Sequence, residues 1–206
     1  NWLGAAVFGG IALDYALRSA IAQHDQATLL SALRNHGRRV GATRMLLVDV
    51  DGKVEADTAG RFRVGAAFPF DDLVARAYDQ PASAIAAWDG RAFWVVVVPV
   101  SAPDLVGFIA AAIPVDDTLL TQLQRQSALP KRIELATLSD GHWRILAQGS
   151  AATAAREEDR VRLAPALMAR YGAKMPAQSV LLTVQGREYV AQAIDLLDPR
   201  CQDVDE

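Results

Sequence analysis

The chain has 206 residues, of which 51% are hydrophobic, and a formal net charge of −3. This composition supports a folded core and excludes a largely disordered chain, and the mixed charges give no reason to expect a nucleic-acid partner. Cys201 is the single cysteine, which excludes an intramolecular disulfide and a zinc site built from cysteines.

The two ends indicate a piece of a longer protein. The chain begins at Asn1 rather than Met, and no signal peptide is visible. Its apolar start meets Asp14 too early to span a bilayer. Any membrane helix would therefore lie outside these residues.

Residues 1–43 are predicted to be helical. A first stretch carries apolar residues on one face at helical spacing: Leu13, Leu17, Ala20 and Ile21. Asp25 is a predicted N-cap, and a second apolar set follows it: Leu29, Leu30 and Leu33. Gly37 and Gly41 are expected to mark the end of this second stretch.

Four β-hairpins are predicted beyond residue 43. In each, a turn dipeptide separates two apolar, β-rich runs, and Asp-Gly favours a two-residue type I′ turn because that turn needs positive φ. The four turns are Asp51-Gly52, Asp89-Gly90, Asp140-Gly141 and Gln185-Gly186. The run FWVVVVPV is apolar without alternation, which predicts an interior strand that is covered on both faces.

Helices are predicted between the hairpins. Asp71 or Asp72 is expected to cap a short helix whose apolar face is formed by Leu73, Val74 and Ala77. Asp116 or Asp117 is expected to cap a linking helix that packs through Leu119, Leu120 and Leu123. The segment between the last two hairpins is helical in pattern, with Pro165 tolerated if it opens a new helix at its first turn, and Gly172 and Pro176 are expected to end it.

These elements predict an α+β protein in which a long N-terminal helix precedes two PAS-like modules with antiparallel sheets. The helical segment is 1–43, and the first module is 44–115, where the run DLVGFIAAAIPV supplies a fifth strand. The linking helix is 116–130, and the second module is 131–206. No fifth strand is visible in the second module, which leaves open whether it is complete.

Asp49 and Asp51 admit a different interpretation. A hydrophobic strand that ends in Asp-x-Asp-Gly is typical of haloacid-dehalogenase-type phosphatases, with the first Asp as nucleophile. That fold requires a parallel sheet, whereas the hairpins favour an antiparallel one. Lys53 also follows Gly52 where Thr or Val is expected. We therefore expect no enzymatic activity in these residues and no bound cofactor. His24, His36 and His142 are too scattered to predict a metal site.

Several runs resemble bacterial double-Cache sensor domains, in particular those that precede a cytoplasmic GGDEF or GGDEF–EAL region. The resemblance covers most of the chain, and its most distinctive piece is VPVSAP…VGF followed by Asp116. The matching runs are HDQATLLSALRNHGRRVGATRMLLVDVDG, ADT, FPFDDLVARA and WVVVVPVSAPDLVGFIAAAIPVDD.

The resemblance implies a periplasmic sensory domain of an inner-membrane protein that controls synthesis or degradation of cyclic di-GMP, with a homodimer formed through the N-terminal helix and the first module distal to the membrane. The Arg, Trp, Tyr and Asp pattern of amino-acid-binding Cache domains does not map here, because RAFW holds Arg91 and Trp94 in reversed order. Amino-acid binding is therefore not implied.

A ligand pocket in the first module would combine apolar walls with a few fixed polar groups. The candidate ligand-binding residues are Arg61, Phe70, Tyr78, Trp88, Arg91 and Trp94. The arginines would favour a small anionic ligand such as a carboxylate. The alternative is that the aromatic side chains belong to the core and the arginines to the surface, which is the commoner case for any single residue. The protein would then be an extracytoplasmic interaction or dimerisation module without a small ligand.

Overall fold

A computed structural model describes residues 25–88, 91–101, 104–126, 132–139, 141–150, 157–172, 174, 180–184 and 187–192. These residues divide into two compact units, one ending at Pro114 and the other beginning at Val115. The predicted first helical stretch, with Leu13, Leu17, Ala20 and Ile21, lies outside the described residues, as does Cys201. None of the described helices combines the length and the hydropathy needed to cross a bilayer.

The first unit contains two helices and one five-stranded sheet. The helices are α1 (Gln26–Val40) and α2 (Asp71–Ala77), and the strands are β1 (Arg44–Val48), β2 (Val54–Asp57), β3 (Ala82–Trp88), β4 (Arg91–Ser101) and β5 (Leu105–Pro114). The strand order is β2-β1-β5-β4-β3, and every pair is antiparallel. The predicted α+β class and the fifth strand are confirmed, and β4 is an interior strand as its apolar run predicts.

Alternation along the strands gives this sheet two buried faces. The face that we call the core face carries Leu46, Val48, Val95, Val97 and Phe108, which pack with α2 and the loop before it. The opposite face, here called the helix face, carries the neighbouring residue Met45. It packs against α1, where Gly37 lies so close to Met45 that a Cβ added to Gly37 would be 2.9 Å from Met45 Cγ.

The start of α1 agrees with its prediction and its end differs in one respect. Asp25 accepts hydrogen bonds from the backbone N–H groups of Ala27 and Thr28 at 3.1 and 3.3 Å, so it is the N-cap. Gly41 is the C-cap, with φ +73°. Gly37 does not mark the end of the helix but lies inside it, because its missing side chain allows the close contact with Met45.

The first hairpin forms, but its turn is longer than predicted. Residues 49–53 connect the two strands. Within them, Asp49 N–H donates to Lys53 O at 2.8 Å and Gly52 N–H donates to Asp49 O at 3.2 Å, which closes a three-residue loop, 50–52. Asp49 Oδ1 also accepts from Asp51 N and Lys53 N at 2.9 and 2.7 Å. The three-residue loop with Gly52 at φ +78° replaces the expected two-residue type I′ turn.

Two predicted features of the other helices were wrong. The N-cap of α2 is Phe70, whose phenyl side chain has no atom that could accept a capping hydrogen bond and is buried in the core, and neither Asp71 nor Asp72 takes that position. In the second unit, Pro165 lies inside a continuous helix, α4 (Glu157–Tyr171), rather than opening a new one. Gly172 ends this helix with φ +58°, as predicted, and Pro176 lies outside the described residues.

The second unit consists of hairpins and helices. Helix α3 (Asp117–Gln126) is followed by the hairpin β6 (Arg132–Ser139) and β7 (His142–Ser150), by α4, and by the hairpin β8 (Val180–Val184) and β9 (Arg187–Ala191). Asp116 accepts a hydrogen bond from Leu119 N at 2.9 Å and caps α3, as one of the two predicted alternatives. The two hairpins are separate two-stranded sheets.

The hairpin β6–β7 is packed on both faces. On one face, α3 approaches β7 so closely that a Cβ added to Gly149 would be 2.5 Å from the Leu120 carbonyl carbon. On the other face, Trp143 packs with Leu167 of α4. Its indole N–H donates to Gly172 O at 2.9 Å and so fixes the end of that helix.

Candidate ligand site in the first unit

An arginine lies inside the core face. Arg44 is the first residue of β1, and the alternation of that strand places it on the same face as Leu46 and Val48. Its side chain is only 9% exposed. Nε donates to Asp57 Oδ1 at 3.1 Å and Nη2 donates to Asp57 Oδ2 at 2.7 Å, a bidentate pair.

Asp57 also organises the loop that follows β2. Its Oδ1 accepts from Ala59 N at 2.9 Å, and its Oδ2 accepts from Arg61 N and Phe62 N at 2.9 and 3.0 Å. Burial would raise the pKa of Asp57, but the hydrogen bonds from Arg44, Phe62 and Ala59, together with the charge of Arg44, outweigh it and hold that pKa below its usual value. Asp57 is therefore a carboxylate whose hydrogen-bonding capacity is used within the protein.

Two aromatic rings form a corner around the Arg44 guanidinium. Its Cζ lies 4.6 Å from the ring centroid of Phe62 and 4.4 Å from that of Trp88, within the range of cation–π attraction. The two centroids are only 5.7 Å apart, much less than the sum of those distances. The rings therefore meet at an angle beside the guanidinium, and they do not enclose it from opposite sides.

Three phenylalanine rings extend the aromatic cluster around Trp88. Phe70 lies edge-on to Trp88 at 5.4 Å between centroids, and Phe68 lies edge-on to Phe70 at 5.6 Å. Phe93 contacts Trp88 at 6.3 Å. Phe68 and Phe70 are buried, whereas Phe62, Trp88 and Phe93 are partly exposed. The aromatic cluster thus reaches from the core to the surface at the end of the core face where Trp88 lies, which we call the Trp88 end.

Exposed arginines surround this end. Arg91 on β4 pairs directly with Trp88 on β3, and its place two residues before Phe93 puts it on the core face. Arg61 belongs to the loop held by Asp57, and both arginines are exposed. Among these described side chains, Arg44 and Asp57 form a buried ion pair, and the exposed Arg61 and Arg91 add two positive charges. We call these two exposed arginines the electropositive rim.

Four of the six candidate residues come together at the Trp88 end: Arg61, Phe70, Trp88 and Arg91. The structure does not bring the other two to this place. Tyr78 lies at the opposite end of the core face, where its ring contacts Phe108 at 5.1 Å and its hydroxyl donates to Val50 O at 2.7 Å. Trp94 pairs with Ile85 and Ile113 and lies on the helix face.

The arrangement of hairpins, fifth strand and helices can be compared with known families. A family model described as "Double sensory domain of two-component sensor kinase", dCache_3, matches residues 10–200. The chain belongs to the dCache_3 family. It is therefore the sensory domain of a signalling protein. No curated protein matches the chain.

Solved structures similar to this dCache_3 domain share low sequence identity with it. The sensor domain of the V. cholerae histidine kinase DctB has 15% identity and a TM-score of 0.48, and the match covers 77% of this chain and 66% of that one. The Pseudomonas fluorescens chemoreceptor CtaA with L-isoleucine has 16% identity and a TM-score of 0.47, covering 92% and 76%. A domain assigned to a sensory box/GGDEF family protein of Vibrio parahaemolyticus has 10% and 0.46, covering 87% and 77%. The likeness is one of fold, and no ligand is carried over from it.

Sequence reasoning missed three residues of the site in this dCache_3 domain: Arg44, Asp57 and Phe62. One signal was present, because Arg44, Leu46 and Val48 alternate and a charged residue at the head of such a set points into the core. Asp57 carried no comparable signal, since three of its partners are backbone N–H groups of its own loop and its partner Arg44 is thirteen residues away on the neighbouring strand.

The phosphatase interpretation of Asp49 and Asp51 is wrong. All strand pairs of the described sheets are antiparallel, whereas that fold needs a parallel sheet. Asp49 is engaged in the turn through two backbone N–H groups. Within the described residues, no three metal-ligating side chains are grouped.

Proposed function

We propose that the first unit binds a small anionic ligand, such as a carboxylate, at the Trp88 end of its core face. The electropositive rim formed by Arg61 and Arg91 beside partly exposed aromatic rings supports this proposal. Asp57, the one carboxylate described there, is occupied by Arg44 and by three backbone N–H groups. Asp57 is therefore not a free carboxylate that would repel an incoming anion.

The arginines have different roles in this proposal. Arg44 is buried and paired, so it holds Phe62 and Trp88 in place and neutralises Asp57. Arg61 and Arg91 are exposed, and guanidinium groups bind carboxylates through paired N–H groups. The partly exposed ring of Trp88 would form an apolar floor for the ligand's carbon chain, which is the usual composition of a small-molecule site.

Ligand binding is tested by thermal denaturation with acetate, succinate, phosphate, amino acids and an uncharged polyol, followed by calorimetric titration. A ligand that binds the folded state stabilises it by RT ln(1 + [L]/Kd), about 2.7 kcal/mol at a hundredfold excess over Kd. We expect an anion to stabilise the wild type. Arg91→Gln and Arg61→Gln should each weaken binding at least tenfold without lowering the ligand-free melting temperature.

Arg34→Gln is the matched control, because Arg34 is an exposed arginine on α1 and α1 packs on the helix face. It removes one positive charge from the same unit and should leave the affinity unchanged. Equal weakening by Arg34→Gln would show that net charge alone attracts the anion and would refute the site. Stabilisation by none of the compounds would refute the anion proposal.

A second function is favoured by one observation: much of the core face is filled by its own aromatic side chains, and Arg44 is neutralised by Asp57. This is the extracytoplasmic interaction or dimerisation module without a small ligand. It predicts no stabilisation by any compound in the same screen, so the two functions give opposite results.

We further propose that the chain is the periplasmic domain of an inner-membrane protein whose cytoplasmic region makes or degrades cyclic di-GMP, and that it dimerises through its N-terminal helix. The VPVSAP…VGF run followed by Asp116 supports this output. A ligand that prefers one of two conformations would shift the output in proportion to its differential affinity. Cyclic di-GMP measured in cells that carry the full-length protein should change with the anion, and should respond less in an Arg91→Gln strain.

A further inference from the structure

The two edge strands of the five-stranded sheet, β2 and β3, differ in whether a described segment covers their outer side. The β2 edge is covered by the chain that follows it: Val54 N donates to Ala66 O and Gly65 N donates to Val54 O, both at 2.8 Å. Phe68 N also donates to Gly52 O at 2.8 Å. This segment occupies backbone groups that would otherwise be open to another strand.

The β3 edge has no such cover among the described residues, where no backbone hydrogen bond reaches the outer side of Ala82–Trp88. The strand pairs with β4 at seven successive positions without a bulge. It contains no charged residue and no proline. Proteins usually protect edges with lysines, prolines, bulges or a covering segment, so β3 has the properties of a strand that accepts a partner.

We propose that β3 pairs antiparallel with β3 of a second copy of this chain, about a twofold axis through Ile85. Ile85 is the central residue of the strand, so this register places Ile85 opposite its own copy and Ala84 opposite Ala86. Residues of equal parity then face each other, and the core face of one sheet continues into the core face of the other. Because the strand is uncharged, no like charges are brought opposite each other.

A second copy fits this edge better than a peptide from another protein. Five of the seven residues of β3 are Ala or Ser. Peptides that add to a sheet edge are selected by pockets for their side chains, and a strand of such small residues offers few of these pockets. Self-pairing needs only a small, uncharged, symmetric strand. One strand pair buries less than the roughly 1,200 Å² of a stable interface, so the contact is expected to be weak in solution. Tethering to a membrane would raise its effective concentration.

The register is tested by cysteine cross-linking of the full chain, with Cys201→Ser as the background. In Ile85→Cys the two Cα atoms would lie about 4.5–5.5 Å apart across the strand pair, which a disulfide can bridge. In the control Ser83→Cys, the two copies of residue 83 would be four positions apart, about 13 Å along the strands. Under mild oxidation at millimolar concentration, we expect a disulfide-linked dimer from Ile85→Cys and none from Ser83→Cys.

A double variant keeps the test decisive if Ile85→Cys lowers stability. Residue 83 lies opposite residue 87 of the copy in the proposed register, so Ser83→Cys combined with Ala87→Cys should form the dimer again. Failure of both cross-links, with the thiols reactive toward a small reagent, would overturn the proposal. Equal cross-linking of Ser83→Cys alone would also overturn it, as would hydrogen-exchange protection of β3 that requires another protein. None of these results depends on whether the Trp88 end binds an anion.

Discussion

The first unit joins its two hairpins into one five-stranded sheet, whereas the described hairpins of the second unit remain separate two-stranded sheets. The hairpins β1–β2 and β3–β4 never pair with each other. Both are joined to β5, which lies between β1 and β4. Both units repeat the order hairpin, helix, hairpin. In the first unit a further strand joins the hairpins into one sheet, and in the second unit no described strand does so, which leaves two sheets.

The bridging strand also determines where a buried charged group can lie. Residues 107–113 of β5 are all buried, and Ala110 and Ala112 are small residues beside Leu46 and Arg44. Arg44 on β1 pairs with Ala112 on β5, and its guanidinium lies 4.4 Å from the Trp88 ring centroid on the other hairpin. The site at the Trp88 end thus draws residues from both hairpins, which a two-stranded sheet cannot supply.

The largest effect is expected from a charge placed in the bridging strand. Ala111 is fully buried and pairs with Met45 and Val96. Ala111→Asp would bury a carboxylate without a partner and should cost about 5 kcal/mol or more, enough to unfold a marginally stable unit. Hydrogen exchange read by mass spectrometry should show loss of amide protection throughout β1, β4 and β5.

Ala87→Asp provides the matched control for that variant. Ala87 lies on the edge strand β3 and is only partly buried, so the same chemical change should cost much less. If both variants lost protection equally, β5 would have no special role in joining the hairpins.

The next largest effect is expected at the charge pair. Asp57→Asn leaves the Arg44 guanidinium without its counter-charge in a buried position, which should cost about 3–5 kcal/mol in urea denaturation. Arg44→Gln should cost less, because Asp57 would keep its three backbone donors. Asp57→Asn within about 1 kcal/mol of the wild type would contradict a structural role for the pair.

The same pair predicts a pH dependence in acid. Since the pKa of Asp57 is lower in the folded chain than its ordinary value of 3.8, its contribution to stability is fully present above that value. It is lost as the pH falls from there through the lowered pKa. The denaturation midpoint of the wild type should therefore drop more steeply below that pH than the midpoint of Asp57→Asn. If the two midpoints fell in parallel with pH, the lowered pKa of Asp57 would not contribute to stability.

In the second unit, the close packing of α3 on β7 gives an intermediate effect. A Cβ at Gly149 would be 2.5 Å from the carbonyl carbon of Leu120, and that backbone cannot move aside as a flexible side chain can. Gly149→Val should cost about 1–3 kcal/mol and lower amide protection in β6 and β7. Gly141→Ala is a useful contrast because nothing lies within 4 Å of its Cβ position and only its φ of +74° opposes the change. Its loss should be about 1 kcal/mol.

Local signals in the sequence predicted the hairpins, the N-cap Asp25 and the linking helix, because each depends on residues close together in the chain. The order of strands was not predictable in the same way, since β5 inserts between two hairpins through long-range pairing. The run FWVVVVPV is buried on both faces, so its pattern could not show that Trp94 lies on the helix face and Phe93 on the core face. Without knowing which face each of these residues occupies, the residues that surround Arg44 could not be predicted.

The smallest effect is expected at the N-cap of α3, where Asp116 accepts a hydrogen bond from Leu119 N at 2.9 Å. Asp116→Ala removes this bond and should cost about 1 kcal/mol, measured as the change in free energy of exchange for the α3 amides. Thr118→Ala, at an exposed position two residues after Asp116, should change these free energies by less than about 0.5 kcal/mol. Because α3 packs against β7, protection in β7 should fall with that in α3, while the strands of the first unit should exchange as in the wild type. A loss confined to the first turn of α3 would mean that this helix frays without weakening the hairpin it covers, so that Gly149 and not the cap determines how firmly α3 and β7 pack together.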